Sequence, residues 1–456
     1  MMNDKKITFV AAREDGFGER LRAMLNAMLL AENFNGKFLF NWEERPIWGR
    51  EHHSVVSKEE TFSADFIDKF YIDKTQLQKM KFGYINNKSQ NNWFEEERIK
   101  NSDAILVSQH LLSGLQKPAA DDIDFINGYK RNFEKIEFSK SLEHAKAYAS
   151  NIKLKEHSIA IHLRAGDLIY GGSRFHNSIF MEKIAPFPIA IGLIKFLKEN
   201  NFTPIVFGQD KELLEYLKSE FEVTLSLELS DLSFSVAQQA FFDVVLMSKC
   251  EQIFTATDSG FSTLASWISG GEKTKDIYKA FSKEETLIFF ESFFKILQQD
   301  NNISLLQKAF ACWAYIKISG DGLATNEKMR YFLNLAIEYD PENDFYHLVK
   351  ACSFYKEGKI DDAEEILYQR FCAADKRSLS IVQILNKTFP KISNKTIGYL
   401  YLENLKYYAN VAYPMAALCA AIIEKAVGND DLFLHFKKLF MVNDGAKYVD
   451  FHKYIT

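Results

Sequence analysis

A short apolar run that ends in polar side chains occupies the middle of the chain. Residues 159–161 are apolar, as in a buried parallel strand, and His162, Arg164 and Asp167 follow them. Open α/β sheets bind their ligands at the carboxyl ends of the strands. The guanidinium of Arg164 is permanently charged and offers a planar set of donors that suits a phosphate, while Asp167 could hold it in place. The alternative is a strand end with a structural arginine–aspartate pair.

Two glycine-containing turns point to the same kind of chemistry. The first is Asp15-Gly-Phe-Gly-Glu-Arg-Leu-Arg22 and the second is Thr257-Asp-Ser-Gly-Phe-Ser262. Each should follow a strand and open a helix, where backbone N–H groups favour anions. The first turn is not a P-loop, because it has no Gly-Lys-Ser/Thr, and it lacks the third glycine of a dinucleotide site. In the second turn, Ser259 could give its hydroxyl and N–H to a phosphate, or Asp258 or Ser259 could cap the helix.

The first turn lies in a strand–helix–strand pattern near the N-terminus. The predicted elements up to residue 151 are a strand over 7–12, an amphipathic helix from Glu19 to Asn35-Gly36, a strand over 37–42, a strand over 103–109 and a helix over 133–151. This pattern predicts a Rossmann-like domain, which we place at residues 1–150.

The other two motifs lie in a second alternation of strands and helices that starts at Ser158. The predicted strands cover 159–161, 204–208 and 252–256, and the predicted helices cover 188–199, 213–221, 238–248 and 261–268. Such alternation predicts a parallel sheet with helices on both faces. We place this second Rossmann-like domain at residues 151–295.

After about residue 290 only helical patterns remain, which predicts an all-α domain over 300–456. One segment has the spacings of a tetratricopeptide unit at Ala351, Phe354, Gly358, Ala363 and Leu367. Since only one further, weaker unit precedes it, an ordinary helical bundle is the alternative. The apolar segment 432–442 predicts either contact with a protein or membrane partner or burial within the bundle.

Length, charge and cysteine content limit the class of protein. The chain has 456 residues, enough for two or three domains, and its formal net charge of −5 argues against a nucleic-acid partner. Its five cysteines include no CxxC pair, which favours reduced cytoplasmic thiols over disulfides or a zinc site. The first residues lack an apolar segment, and no run reaches the ~18 apolar residues of a membrane span. We therefore expect a cytoplasmic protein without a signal peptide, and peripheral contact with the inner face of a membrane stays open.

Three motifs together resemble those of the GDP-fucose fucosyltransferase superfamily, which holds the α1,2-, α1,6- and protein O-fucosyltransferases. They are Gly16-Phe-Gly-Glu-Arg-Leu-Arg-Ala23, His162-x-Arg-x-Gly-Asp167, and Asp258-Ser-Gly-Phe-Ser262 preceded by Asp243. The resemblance covers roughly residues 5–290. It implies a GT-B fold of two facing Rossmann-like domains, with residues 1–150 as the acceptor-side half and residues 151–295 as the nucleotide-sugar-binding half. It also implies GDP-fucose as donor, GDP as product, inversion at the anomeric carbon, and no metal or other cofactor.

The resemblance also implies a role for individual residues. It assigns Arg164 and Ser259 to the β-phosphate, His162 and Asp167 to the guanosine pocket and to bracing Arg164, and Asp243 to the guanine base. The full set of donor-binding residues that it implies is Gly16, Phe17, Gly18, Arg20, His162, Arg164, Asp167, Gly208, Asp243, Asp258, Ser259 and Gly260. Two departures leave the subfamily open, because Ala165 replaces the second arginine of α1,6 enzymes and Glu19 replaces a common asparagine.

The acceptor hydroxyl needs a carboxylate as base or hydrogen-bond acceptor, and the first turn offers three. Asp15 stands where some relatives place an acid and is the first candidate, followed by Glu14 and then Glu19. The alternative for Asp15 is a turn residue that caps the helix. With Arg164, Asp15 and Glu14 are therefore our candidate catalytic residues, and a weak base would suffice for an oxocarbenium-like transition state.

The sequence predicts no metal site. Asp122-Ile-Asp124 resembles the Asp-x-Asp of metal-dependent sugar transferases, but its polar, helical neighbours favour a solvated helix face. The leading hypothesis is transfer of fucose to a glycan or glycolipid, for example a bacterial surface polysaccharide such as lipopolysaccharide. Two alternatives remain, namely a transferase of the same fold that uses another nucleotide sugar, and a non-catalytic helical scaffold.

Overall fold

The structure, a computed structural model, describes most of the chain. The described residues are 6–44, 55–85, 104–109, 124–171, 174, 181–257, 259–297, 302–320, 326–374, 381–387, 397–411, 413–443 and 446–456. Three residues that the sequence singled out, Asp122, Ile123 and Asp258, lie outside the described residues, and so does the side chain of Asp167.

The chain forms two compact units. The first consists of Met1–Leu163, Leu193–Gln209 and Leu217–Ala280, and the second of Arg164–Gly192, Asp210–Tyr216 and Phe281–Thr456. The first unit holds the β-sheets. The second holds the C-terminal helices and the segment that begins at Arg164. The predicted domain limits, which follow sequence pattern, stay predictions.

The first sheet has four parallel strands in the order β2-β1-β4-β3. The strands are β1 (Thr8–Ala12), β2 (Lys37–Asn41), β3 (Phe82–Ile85) and β4 (Ala104–Val107). The accompanying helices are α1 (Phe17–Asn33), α2 (Lys58–Thr61), α3 (Ala64–Phe70), α4 (Lys74–Gln78), α5 (Phe125–Glu134) and α6 (Lys140–Asn151). Because β1 is a central strand and α1 follows it directly, the first glycine turn lies at the carboxyl edge of this sheet.

The second sheet has five parallel strands in the order β7-β6-β5-β8-β9. The strands are β5 (Ser158–Leu163), β6 (Thr203–Gly208), β7 (Thr224–Leu225), β8 (Gln252–Thr255) and β9 (Thr274–Asp276). The helices in this part of the chain are α7 (Gly166–Ile169), α8 (Phe187–Glu199), α9 (Lys211–Phe221), α10 (Ser226–Leu229), α11 (Val236–Lys249) and α12 (Gly260–Ile268), with short 3₁₀ helices at Met181–Lys183 and Ile277–Lys279. His162 pairs in register with Thr255, so the loops after β5 and β8 leave the sheet at one edge.

Helices from both sheets share one core within the first unit. Helix α1 packs on α5 and α12, and α11 packs on α6 and α12. Leu21, Phe241 and Leu264 are fully buried members of this core. Each such side chain contributes about 1.5–3 kcal/mol relative to an exposed one, so the apolar faces fix how the helix ends meet.

The C-terminal part of the second unit contains only helices among its described residues. They are α13 (Lys283–Leu297), α14 (Leu305–Ser319), α15 (Asn326–Tyr339), α16 (Asp344–Lys356), α17 (Ile360–Cys372), α18 (Ile381–Lys387), α19 (Ile397–Asn410), α20 (Pro414–Val427) and α21 (Asp430–Asn443), and a 3₁₀ helix covers Ala446–Tyr454. Helices α16 and α17 form a hairpin that buries Ala351, Ala363 and Leu367, and its tetratricopeptide character stays a prediction. Helix α21 exposes Leu434 and Val442.

These elements confirm the predicted α/β class, with two parallel Rossmann-like sheets and a helical C-terminal region. The predicted single helix over 133–151 is wrong, because Glu134 ends α5 and Ser139 caps α6. Between the two helices Phe138 forms an antiparallel bridge with Phe62, which takes the backbone out of the helix. The sequence also missed β3, β7 and β9, which are short strands at sheet edges.

The chain carries five free cysteines, of which Cys372 is exposed and the other four are buried. Within the described ranges, no helix has both the length and the apolar character needed to cross a membrane.

Candidate functional site

The first turns of helices α1 and α12 touch each other. Gly18 is the second residue of α1, and Gly260 is the first residue of α12. A Cβ atom on Gly18 would lie 3.0 Å from the carbonyl carbon and oxygen of Gly260, so a larger residue would force the two backbones apart. The contact brings together two helix N-termini, whose first N–H groups have no partner within their own helix.

The carboxylate of Glu19 lies against the start of α12, since a Cβ atom added to Gly260 would collide with it. Oε2 of Glu19 is also 3.0 Å from a guanidinium nitrogen of Arg22. The Arg22 guanidinium in turn lies 4.7 Å from the ring centre of Trp267 on α12. Because a helix N-terminus stabilises negative charge, Glu19 occupies a position that would also favour an anionic ligand group.

Four side chains, His162, Thr255, Ser259 and Ser262, form a polar cluster at the carboxyl ends of the neighbouring strands β5 and β8. Nδ1 of His162 is 2.6 Å from Oγ of Ser262 and 3.3 Å from Oγ of Ser259. The Ser262 hydroxyl donates to Oγ1 of Thr255 at 3.2 Å. The three hydroxyl residues are buried and His162 is partly buried. The polar cluster therefore presents three hydroxyl groups and an imidazole at the N-terminus of α12.

Ser259 caps helix α12, as the alternative from the sequence predicts. Its hydroxyl accepts a hydrogen bond from the backbone N–H of Ser262 at 3.5 Å, and the residue is only 2% exposed. The hydroxyl also accepts from Oγ of Ser262 at 3.4 Å, and its one proton can be directed to Nδ1 of His162 or to a ligand. The capping role and a contact with phosphate are therefore compatible.

Arg20 is buried and holds the backbone of the first turn. Its Nε donates to the carbonyl oxygen of Asp15 at 2.7 Å, and its terminal nitrogens donate to the carbonyl oxygens of Glu14 and Glu43. The guanidinium also lies 5.2 Å from the ring centre of Trp42. Arg20 thus has a clear structural function, and its contact with the donor stays a prediction.

The three candidate bases differ in their surroundings. Asp15 is partly exposed and pairs with Arg13. Glu14 is exposed, and its carboxylate lies 3.8 Å from Nζ of Lys74. Glu19, ranked third from the sequence, is the one that the fold brings against the second glycine turn. This contact supports Glu19 as a candidate base. Asp15 and Glu14 stay predictions.

Asp243 lies on α11 among uncharged partners. Burial raises the pKa of its carboxyl group to about 7, although hydrogen bonds from Ser226 and Gln239 act in the opposite direction. Nε2 of Gln239 donates to Oδ1 of Asp243 at 3.0 Å. On the same helix, Phe241 packs edge-on against Phe17 of α1, with 5.9 Å between ring centres. Asp243 can therefore change its charge near neutral pH.

Arg164 follows directly after β5 and is the first residue of the second unit. Leu163, the last residue of β5, pairs with Gly208, the last residue of β6. Gly166 has a φ of +39°, a left-handed conformation that glycine adopts without strain, as the predicted tight turn requires. Ala165 is buried, whereas Arg164 is partly exposed.

Asp124 is the described member of the Asp-x-Asp segment, and it caps helix α5. Its carboxylate accepts from the backbone N–H of Asn127 at 3.1 Å, and hydrogen bonds from Asn127 lower its pKa. In the part of the chain that the structure describes, no group of three or more His, Cys, Asp or Glu side chains is placed to hold a metal ion.

Sequence reasoning missed the residues that hold α12 in place. The ring of Trp267 stacks on Tyr129 of α5 with 4.1 Å between centres, and the Tyr129 hydroxyl donates to Oδ1 of Asn26 at 2.8 Å. Nδ2 of Asn26 donates to the carbonyl oxygen of Ser108 at 2.8 Å. The one indication of these contacts in the sequence was Asn26, a polar residue within the apolar stretch of α1. The sequence does not show which residues Asn26 binds.

Comparison with known proteins finds similar solved structures, whereas no protein-family profile and no curated protein matches the chain. A structure of POFUT1 in complex with GDP is 12% identical over 60% of this chain and 98% of that chain, with a TM-score of 0.34. The fucosyltransferase NodZ from Bradyrhizobium is 13% identical over 57% and 93%, with a TM-score of 0.35. NodZ α-1,6-fucosyltransferase soaked with GDP-fucose is 12% identical over 58% and 93%, also at 0.35.

Proposed function

We propose that this protein is an inverting, metal-independent glycosyltransferase that moves fucose from GDP-fucose to a hydroxyl group of a glycan or glycolipid acceptor, such as a bacterial lipopolysaccharide. The acceptor oxygen attacks C1 of fucose, and the bond between C1 and the β-phosphate oxygen breaks with its electrons passing to GDP. The hydroxyl proton passes to a carboxylate. The observation that carries the proposal is the polar cluster at the N-terminus of α12.

The polar cluster suits a diphosphate leaving group. The first N–H groups of α12 and the hydroxyl of Ser259 are donors at the carboxyl edge of a parallel sheet, where such folds bind nucleotides. Donors fixed before the reaction stabilise charge where it develops, without reorganisation during the bond-breaking step. Arg164, two residues beyond His162, adds the permanent positive charge that the motif resemblance assigns to the β-phosphate.

The base is assigned to a carboxylate of the first glycine turn. Asp15 remains the first candidate from the sequence, and its partner Arg13 would orient it. Glu19 is the second candidate, because its carboxylate already lies against Gly260. Either would take the acceptor proton while GDP departs.

Asp243 supports a guanine donor over a uracil or adenine donor. A carboxylate accepts hydrogen bonds from two neighbouring N–H groups at once, and guanine presents such a pair on one edge. With a pKa of about 7, Asp243 is ionised in part at neutral pH, and guanine N–H groups would favour the ionised form.

A thermal-shift titration with GDP, UDP and ADP, followed by a GDP-fucose hydrolysis assay, tests the proposal. We expect GDP to raise the melting temperature, UDP and ADP to have little effect, and GDP-fucose to be cleaved slowly without acceptor. A shift with UDP would indicate another nucleotide sugar, and no shift with any nucleotide would indicate a scaffold.

Transfer should also continue in EDTA. A strict requirement for Mg²⁺ or Mn²⁺ would contradict the metal-independent mechanism. Asp122 and Asp124 would then be the candidate metal ligands. The acceptor, a cytoplasmic location and contact with a membrane or protein partner through the C-terminal helices stay part of the proposal.

A further inference from the structure

The segment that carries Arg164 folds with the C-terminal helices. Residues 164–171, here called the Arg164 segment, lie in the second unit together with the helices from α13 to α21. We propose that these helices position Arg164 for catalysis and that Tyr170 is the main positioning residue. The inference rests on the proposed function, because that function gives Arg164 its role.

Tyr170 is anchored by a carboxylate that also binds the C-terminal helices. Its hydroxyl donates to Oδ2 of Asp210 and lies 3.0 Å from Oγ of Ser304. Nε2 of Gln307 donates to the same Oδ2 of Asp210 at 2.6 Å. Ser304 caps helix α14, and Gln307 lies in its first turn. One buried carboxylate therefore connects the end of the Arg164 segment to the start of α14.

The carboxylate of Asp210 is itself held rigidly. The residue is 7% exposed, and its second oxygen, Oδ1, accepts from the backbone N–H of Leu213 at 3.1 Å. Gln307 is 1% exposed. Burial, followed by the hydrogen bond to Asp210, raises the pKa of Tyr170, so the phenol keeps its proton and remains a donor at neutral pH. A charged acceptor in a buried site makes this a strong hydrogen bond.

Apolar packing supports the same anchor. The short helix α7, which begins two residues after Arg164, packs on α14. Leu168 and Ile169 of α7 are buried, with 3% and 2% exposure. The carbonyl oxygen of Ala165 accepts from the backbone N–H of Leu168 at 3.0 Å, which ties the residue next to Arg164 into α7. Displacement of α7 would therefore displace Arg164.

A second attachment follows a few residues later. Nε of Arg174 lies 3.3 Å from Oδ2 of Asp340, at the end of α15. Nδ2 of Asn343, the cap of α16, donates to the carbonyl oxygen of Arg174 at 3.4 Å. Asp340 and Asn343 are both buried. The chain after Arg164 is thus bound to the C-terminal helices at two separate points.

Matched variants separate positioning from stability. Tyr170→Phe removes the hydroxyl that binds Asp210, and Tyr355→Phe removes a hydroxyl that binds the partly buried carboxylate of Glu364 between α16 and α17. Both tyrosines belong to the second unit, both lose one bond to a carboxylate, and only Tyr170 lies in the Arg164 segment. We expect similar falls in melting temperature for the two variants.

The kinetic outcome should differ between them. Tyr170→Phe should lower kcat for GDP-fucose cleavage by about tenfold with little change in the KM for the donor, because a misplaced group affects the transition state most. Tyr355→Phe should leave kcat within about twofold of the wild type. Hydrogen–deuterium exchange of residues 164–171 should become faster in Tyr170→Phe alone.

Wild-type kcat and unchanged exchange in Tyr170→Phe would overturn the inference while leaving the proposed function intact. A wild-type protein that neither binds GDP nor cleaves GDP-fucose would instead overturn the proposed function, and the exchange data would still show whether Tyr170 anchors the segment. If Tyr170→Phe fails to fold, Arg174→Gln offers the same measurements at the second attachment point. Equal losses of kcat in Tyr170→Phe and Tyr355→Phe would show that general destabilisation causes the loss, which would also overturn the inference.

Discussion

The turns that start α1 and α12 are alike in sequence and differ in what surrounds them. Each places a Gly-Phe pair at the beginning of a helix that follows a parallel strand, and their glycines touch at Gly18 and Gly260. Charged side chains surround the α1 turn, including Asp15, Glu19 and Arg20. The α12 turn is surrounded by the hydroxyl and imidazole groups of the polar cluster, and the carboxylate of Glu19 reaches it from the α1 turn.

This difference gives the two similar helix starts different roles in the proposed reaction. A carboxylate at the α1 turn can receive a proton, which the hydroxyls of Thr255, Ser259 and Ser262 in the polar cluster cannot do at neutral pH. The basic atom of the polar cluster, Nδ1 of His162, already lies 2.6 Å from Oγ of Ser262. The α12 turn offers donors for a leaving phosphate, and the carboxylate of Glu19 lies against its first residue. The proposed reaction needs both properties side by side.

The strongest test compares two arginines. Arg164→Ala should lower kcat by roughly 10²–10³-fold, the loss typical of a group that stabilises transition-state charge, and should leave the melting temperature close to that of the wild type. Arg20→Ala should lower the melting temperature, because Arg20 holds three backbone carbonyl groups of the α1 turn and its surroundings. A GDP-fucose cleavage assay and thermal melts measure kcat and the melting temperature of both variants. Near-full turnover by Arg164→Ala would contradict the role assigned to Arg164.

The second test compares the acids of the α1 turn. Asp15→Asn should lower kcat by about 10²-fold while the Kd for GDP stays the same, because the base acts on the acceptor and not on the nucleotide. Glu19→Gln is the matched variant, since it also converts one carboxylate into an amide of the same shape. If Asp15→Asn keeps its transfer rate and Glu19→Gln loses it, the base is Glu19.

The third test concerns the contact between the two turns. Gly18→Ala should reduce the free energy of unfolding by about 1–3 kcal/mol, because the added methyl group meets the backbone of Gly260 and has no flexible neighbour to displace. Gly271→Ala is the control, since its Cβ would make ordinary contacts at 3.9 and 4.0 Å and should change stability by less than about 0.5 kcal/mol. Denaturant unfolding measures both, and equal stabilities would show that the helix starts are free to separate.

The smallest expected effect is a pH dependence of nucleotide binding. With a pKa of about 7, Asp243 loses its charge below neutral pH, so the Kd for GDP should be about tenfold higher at pH 6 than at pH 8. Calorimetry at both values measures this ratio, and Asp243→Asn should give a flat profile. A flat profile in the wild type would remove Asp243 from the guanine site.

Protein stability should show the opposite trend at the same residue. Asp243 has a pKa of about 7 in the folded chain and an ordinary value of 3.8, so the folded state keeps its proton when the unfolded chain has already lost it. Its contribution to the free energy of unfolding is therefore fully present below pH 3.8 and falls as the pH rises to about 7. Urea unfolding of the wild type and Asp243→Asn over this range measures the change.

Much of the fold followed from local pattern, and the failures had physical causes. The alternation of apolar runs and amphipathic helices predicted β1, α1, β5 and α12 within a few residues, because strand and helix periods depend on near neighbours. The strands β3, β7 and β9 were missed, since a short edge strand is selected by pairing with its neighbour. The interruption between α5 and α6 likewise depends on the distant bridge from Phe138 to Phe62.

The candidate site likewise has features that the sequence predicts and features that it does not. For His162, Arg164 and Ser259, the residue type and the position at a strand end or a helix start follow from the sequence alone. Their partners do not, because the bond from His162 to Ser262 and the contact of Glu19 with Gly260 join segments far apart in the chain. The C-terminal helices were predicted as a separate domain. Tyr170 and Gln307 both donate to Asp210, and this carboxylate connects the C-terminal helices to the Arg164 segment.

By itself, the sequence determined the order of the strands and helices along the chain, the chemical groups at their ends, and the presence of three anion-suited motifs. These properties depend on residues a few positions apart, so local propensity and periodicity define them. Only the tertiary structure decided which groups meet, namely Gly18 with Gly260, Glu19 with the start of α12, and Tyr170 with the carboxylate that binds α14. Those contacts result from burying many apolar faces at once, and the geometry of that core cannot be read from any single segment.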